Sequence, residues 1–341
     1  MHNLDLRRIG SVSPIGSVSP NFPLVVVPVK TNRRNFIATS GCAACASAIG
    51  SLVAGPLVLP PAAAQDPSES SAARKPRIGV FTKPLNSLSF DELADSMAEA
   101  GFDGIEAPVR EGGNVEPESV EEDLPRLVEA LGKRDLTVMV LTSDINDASD
   151  PLTERVLRTA ATLGITKYRM QYLKYELNRD IAAQIEAWRP QLRDLAAMNH
   201  DFGVQGLYQN HAGNKYFGSS IWDLHIGLDG IDTADISVAY DIRHAIAEGG
   251  MSWPVALNLI RPKIGAIYVK DFRWDGNRLV NVPLGEGRVG KEEVGALRLN
   301  TFDGPVSLHE EYIDHKDPAL VPKHLAAMKS DLNLLRSWIE N

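Results

Sequence analysis

From residue 77 onward, short β-branched and apolar runs alternate with stretches whose apolar positions recur at the helical period. The first run, residues 77–82, is followed by Ser89 and Glu92, a capping box that opens a helix with Leu93 and Met97 on its apolar face and Gly101 at its end. A second strand at 104–107 leads to Leu124, Leu127, Val128 and Leu131, spaced i, i+3, i+4, i+7 and stopping at Gly132. A third strand at 136–141 precedes Asp150 and Pro151, an N-cap and first-turn proline for a helix that buries Val156, Leu157, Ala160 and Leu163 and ends at Gly164. Strands follow at 167–172, 204–210, 236–241, 264–270 and 305–309. Between them runs a long helix, 181–198, with a kink expected at Pro190. The last helix repeats Leu325, Met328, Leu332 and Leu335. Eight such alternations predict a closed α/β barrel, the (β/α)8 or TIM barrel, over residues 76–341.

Residues 1–64 break the pattern. They hold Arg33 and Arg34, then a small-residue apolar run, 38–60, and a Pro-Ala-Ala-Ala-Gln stretch at 61–65. Paired arginines before a mild apolar region, followed by small residues, predict a cleavable twin-arginine export signal. The alternative is an uncleaved membrane anchor, and the long leader before Arg33 leaves the true start open. Residues 65–75 form a polar linker. Cys42 and Cys45 both fall in the signal, so the processed chain is expected to lack thiols, disulfides and thiolate metal sites. On this reading the protein works in the periplasm or outside the cell, without stable membrane insertion.

Charge narrows the partners. The chain has 35 Lys and Arg against 44 Asp and Glu, a net charge of −9, and cleavage would make it more acidic. Such a surface gives nucleic acid no electrostatic support. No G-x-G-x-x-G follows the first strand and no P-loop occurs, so no nucleotide cofactor is expected. A homo-oligomer remains compatible with the sequence.

In a (β/α)8 barrel the chemistry sits at the carboxyl ends of the strands. Polar groups collect there: Glu106 on strand two, Gln209 to His211 on strand five, Asp241 and His244 on strand six, Tyr268 and Lys270 on strand seven, His309 and Glu311 on strand eight. Period-2 alternation puts Gln209 with His211, Tyr268 with Lys270, and His309 with Glu311 toward the mouth, and turns Tyr208 and Leu308 outward. His309, Lys270, His211, His244 and Glu311 are the catalytic candidates. Glu106, Tyr268, Arg273 and Trp274 are candidates for substrate contact, Trp274 by stacking on a sugar ring. Glu106 is alternatively a partner for Lys270 or Lys83, and Asp241 for Arg243 or Arg273. Glu310 is read as solvated or paired, and His200, His225, His315 and His324 as surface or helix residues.

The phrases GFDGIEAPV, LYQNHAG, AYDIRHA, IYVKDF, VPLGEG and GPVSLHEEY, in this order, resemble the strand-end signatures of the sugar phosphate isomerase/epimerase family, the xylose-isomerase-like barrels. The resemblance implies a small carbohydrate substrate and proton transfer beside a sugar carbonyl, assisted by a divalent metal such as Mn, Mg or Zn. It also exposes departures. Gln209 and His309 stand where the family has metal-binding glutamates that also shuttle protons, and Tyr268 stands where it has histidine. Asp241 and His244 keep the family identities. The metal donors expected here are Gln209, Asp241 and His309, with His211 as a further one. The expected activity is sugar isomerisation or epimerisation. The alternatives are β-elimination from a 3-keto-glycoside and sugar binding without turnover.

Overall fold

The computed structural model describes residues 75–340. The expected signal, its two cysteines and all of the linker before Lys75 lie outside these residues. Eight parallel strands close into a barrel: β1 (Ile78–Phe81), β2 (Gly104–Val109), β3 (Thr137–Ser143), β4 (Lys167–Arg169), β5 (Gln205–Gln209), β6 (Ile236–Asp241), β7 (Ile264–Val269) and, after a hairpin, β10 (Val306–Leu308). The hairpin pairs β8 (Asp271–Asp275) with β9 (Arg278–Val282) and was not expected from the sequence. Strand four is shorter than the predicted 167–172: Met170 N still donates to Leu207 O on β5, but Gln171 N turns to Ile145 O. Among the described residues no helix is long and apolar enough to cross a membrane.

The helices surround the barrel as α1 (Phe90–Ala100), α2 (Val120–Gly132), α3 (Pro151–Thr162), α4 (Ile181–Phe202), α5 (Ile221–Gly227), α6 (Ile242–Gly249), α7 (Trp253–Ile260), α8 (Lys291–Ala296) and α9 (Val321–Glu340). Their start signals act as expected: Ser89 and Glu92 complete a capping box, and Asp150 caps Leu152 N ahead of Pro151. α4 runs on through Pro190 to Gly203, which ends it in the left-handed region. α2 stops at Gly132 as expected, and Asp135 supplies the positive φ that turns the chain.

Two layers of apolar packing result. Tyr208 and Leu308 face the helices, within the large outer core. Val140, Leu207, Ala239, Ala266 and Tyr268 fill the barrel interior, with Met139 against them. Met139 lies in the space left by two glycines: a Cβ on Gly79 would stand 2.8 Å from its sulfur, and one on Gly104 2.8 Å from its Cγ. Register slips opposite Met139 and Gly265 then bring Glu106 level with Val140 and Asp241 level with Tyr268. Bulges of this kind re-aim side chains at strand ends.

The VPLGEG segment is a fastening. Asp271 Oδ1 accepts from the backbone N–H groups of Phe272, Arg288 and Val289 at 2.7–2.8 Å. Its Oδ2 accepts from Gly285 at 3.0 Å and Gly287 at 2.7 Å. Gly287 has no room for a Cβ, which would fall 2.1 Å from Phe272 O. Asp271→Ala removes five hydrogen bonds and strands the buried amides of Phe272 and Val289, so chemical denaturation should report a loss of about 3 kcal/mol. Stability within about 0.5 kcal/mol of the parent, the range of a neutral surface change, would contradict this account.

Candidate active site

The deepest charged pair at the mouth is Glu106 and His309, both fully buried. His309 Nε2 lies 2.9 Å from Glu106 Oε2, and Thr142 Oγ1 donates to Glu106 Oε1 at 2.5 Å. The Arg169 guanidinium stands 3.8 Å from that same oxygen. Burial alone would raise the Glu106 pKa; His309, then Arg169 and Thr142, bring it down to about 2. With Glu106 ionised, Nε2 is the nitrogen that donates to it, which leaves Nδ1 as the second ring nitrogen. Nδ1 makes no hydrogen bond among the described residues and lies 3.8 Å from Glu311 Oε1. The imidazole is held between the rings of Phe81 at 5.0 Å and Tyr268 at 4.5 Å.

A second cluster adjoins it. Lys270 Nζ contacts Asp241 Oδ2 at 3.2 Å and donates to Glu311 Oε2 at 2.9 Å. Burial disfavours the ammonium, but Asp241 and Glu311 outweigh it and raise its pKa. Lys270 and His309 in turn hold Glu311 well below the usual carboxylate range, against its burial. Glu311 is the outermost of the group, with 32 % of its side chain exposed. Asp241 is placed by its neighbours: Asn210 clamps its backbone N–H and carbonyl, and its Oδ1 caps α6 by accepting from His244 N.

The expected metal donors are otherwise engaged. The Gln209 Oε1 accepts from Arg169 at 2.9 Å and from Tyr172, and its Nε2 donates to Asp241 Oδ2 at 2.8 Å. The carboxylate and amide oxygens of this set are thus answered by Lys270, Arg169 and Tyr172, and His309 Nε2 by Glu106. Among the described residues no group of three or more His, Asp or Glu is arranged to hold a metal ion. The set as arranged does not fit a divalent cation, because an ammonium and a guanidinium already balance its charge.

The remaining candidates fall into two groups. His211 and His244 stack at 4.1 Å, and Tyr172 and Tyr216 pack on His211. Burial first, then Lys270, lowers both imidazoles, His211 to about 4. Arg273 and Trp274 sit on the exposed hairpin, outside the network. Glu310 and His324 form a buried pair, so of the readings offered for them the paired one holds for Glu310 and the helical one for His324. Glu310 also accepts from the N–H groups of Tyr312 and Ile313, which fixes the loop carrying Glu311. Arg169, Tyr172, Thr142 and Phe81 were missed. The strand-end rule applied to strand four would have found Arg169, which alternates with the outward Tyr168.

A closed eight-stranded barrel with its buried ionisable groups gathered at the carboxyl ends of the strands defines a TIM barrel of the enzyme type. The chain belongs to the Xylose isomerase-like TIM barrel family, which it matches over residues 94–338. Similar folds occur in the apo form of YcjR, a 3-keto-D-glucoside 4-epimerase from E. coli (18 % identity, 77 % of this chain and 100 % of that one, TM-score 0.59). A D-psicose 3-epimerase crystallised with D-fructose is likewise similar (16 %, 78 % and 100 %, 0.58), as is an IolI protein with a bound zinc atom (15 %, 77 % and 99 %, 0.62). Among curated proteins none matches the chain by sequence.

The shifted groups set an acid limit on folding. His211, lowered from 6.5 to about 4, leaves the unfolded chain with more bound protons between those values, so stability falls as pH drops through that window. Glu106, lowered from 4.5 to about 2, adds a second loss as pH falls from 4.5 toward 2. NMR titration should find His211 neutral at about pH 5.5, midway through the first window; a midpoint near 6.5 would refute the assignment.

Proposed function

We propose that this protein is a carbohydrate-active enzyme that moves a proton beside a sugar carbonyl, with His309 as proton carrier and Lys270 as the fixed cation. The observation that carries the reading is the state of His309. Glu106 fixes one nitrogen, the other carries no hydrogen bond, and Lys270 and Glu311 stand at its open side. Nδ1 takes the proton from the carbon next to the carbonyl, and the electron pair passes to the carbonyl oxygen to give an enediolate. Lys270 and Arg169 supply positive charge for that oxygen in a site walled from water, where such charges act strongly. The epimerases of similar fold act on keto-sugars, which supports this choice of substrate.

One proton carrier has a stereochemical consequence. Gln209 cannot accept a proton and Tyr172, its donor, has its pKa raised by burial. The proton is therefore returned to the face it left, to the neighbouring carbon in an isomerisation, or is not returned because a β-substituent leaves. Inversion by two opposed bases is disfavoured. Elimination from a 3-keto-glycoside is the second reading, favoured by the same single base.

The mature protein, assayed by NMR in D2O with ketoses and 3-keto-glycosides, should exchange or rearrange at least one of them with deuterium entering on a single face. His309→Ala and Lys270→Met should each lower turnover about 100-fold or more, and chelator should leave it unchanged. Sugar binding without exchange, altered by His309→Ala only in affinity, would instead mark a binding protein. Export by the twin-arginine route is part of the proposal: replacing Arg33 and Arg34 by Lys should keep the chain in the cytoplasm, and unchanged periplasmic recovery would count against it.

A further inference from the structure

On the far side of Phe81 from His309 the rim holds a cavity of about 440 Å³, lined among others by Lys83, Arg110, Glu111, Asp144 and His315. Lys83 follows β1, Arg110 follows β2, Asp144 follows β3 and His315 follows β10, so four adjacent strands build it. The inner cations of the mouth have carboxylates: Lys270 has Asp241 and Glu311, and Arg169 has Glu106. Among the described residues, Lys83 and Arg110 have no carboxylate within salt-bridge distance, although both are partly buried. Each is lowered by burial, and Lys83 next by Arg110. The carboxylates that act on them, Glu311 on Lys83 and Asp144 on Arg110, do so from beyond salt-bridge distance, so the ammonium and the guanidinium keep their donors free for a ligand.

The pair is also held in place. Asn86 Nδ2 donates to Gly112 O at 2.6 Å, Thr82 Oγ1 to Asn114 Oδ1 at 2.6 Å, and Gly113 N to Arg110 O at 2.8 Å. Phe81 ties the cavity to the proton carrier: its ring is 5.0 Å from the His309 ring, and the Arg110 and Arg169 guanidinium carbons lie 5.7 and 5.2 Å from its centre. Phe81 is thus in contact with both the cavity's Arg110 and the proton carrier.

We propose that Lys83 and Arg110 bind a carboxylate carried by the sugar, so that the substrates are acidic sugars of the uronate type. The proposal rests on the reading of the mouth as a sugar site. A carboxylate fits better than a phosphate ester because Glu111 and Asp144 share the cavity, and a single negative charge meets less repulsion from them than a phosphate dianion does. The planar Arg110 fork also matches a carboxylate with two parallel hydrogen bonds.

Calorimetric titration of the mature protein with glucuronate, glucose and glucose 6-phosphate tests this without reference to turnover. Glucuronate should bind about 10- to 100-fold more tightly than either of the others, the range of a charge-assisted contact. Lys83→Met and Arg110→Gln should each remove most of that preference while leaving glucose binding unchanged, and Arg110→Lys should keep part of it. His309→Ala should retain it, so that a protein with this preference but no chemistry would sink the enzymatic reading and leave the subsite standing. Equal affinity for the three sugars, a preference for the phosphate ester, a preference that survives both variants, or no binding of any of them would overturn the proposal.

Discussion

A carboxylate at the centre of a closed barrel is far from water, and its charge must be answered on the spot. Glu106 meets that demand with Thr142, Arg169 and His309, and everything around the mouth follows from how those partners are placed. Arg169 reaches on to Gln209, Gln209 to Asp241, and Asp241 to Lys270 and the first turn of α6. The charges alternate in sign along the chain of contacts, so each side chain has its orientation set by the next. Removing any one partner would leave a buried charge uncompensated, which costs far more than the contact contributes when intact.

The cationic members give this barrel its own chemical character. Where its resemblance to relatives implied a carboxylate-rich cradle, it carries an amide, a phenol and an imidazole, with an ammonium already between the two remaining acids. A cation on a covalent tether cannot be lost or exchanged. Such a centre has a fixed charge and a fixed distance to the group it polarises, the property that electrostatic preorganisation requires. The stacked His211 and His244 extend the same logic, since their low proton affinity keeps further positive charge from accumulating beside Lys270.

Much of the fold was legible in the sequence because barrel strands and helices announce themselves by period and by caps. Ser89, Asp150 and Gly101 act at element ends on local geometry alone. The inward set Gln209, Tyr268 and His309 followed from alternation, which a buried strand obeys strictly. What stayed hidden depended on contacts distant in sequence. That Glu106 pairs with His309, 203 positions away, and that His324 is buried against Glu310, cannot be read from either neighbourhood. The β8–β9 hairpin was missed because its exposed face, Arg273 to Asp275, carries no buried stripe.

The Asp271 anchorage recognises main-chain amides, and only the small residues at 285 and 287 are dictated by shape. Leu284 and Val289 on that segment are buried in the core, so the positions free to vary are the exposed Glu286 and Arg288. Lys270, one residue before Asp271, serves the interior, so a single strand end separates the charged network from the rim. The rim there can accept new sequences, and with them new ligand preferences, without disturbing the machinery beneath.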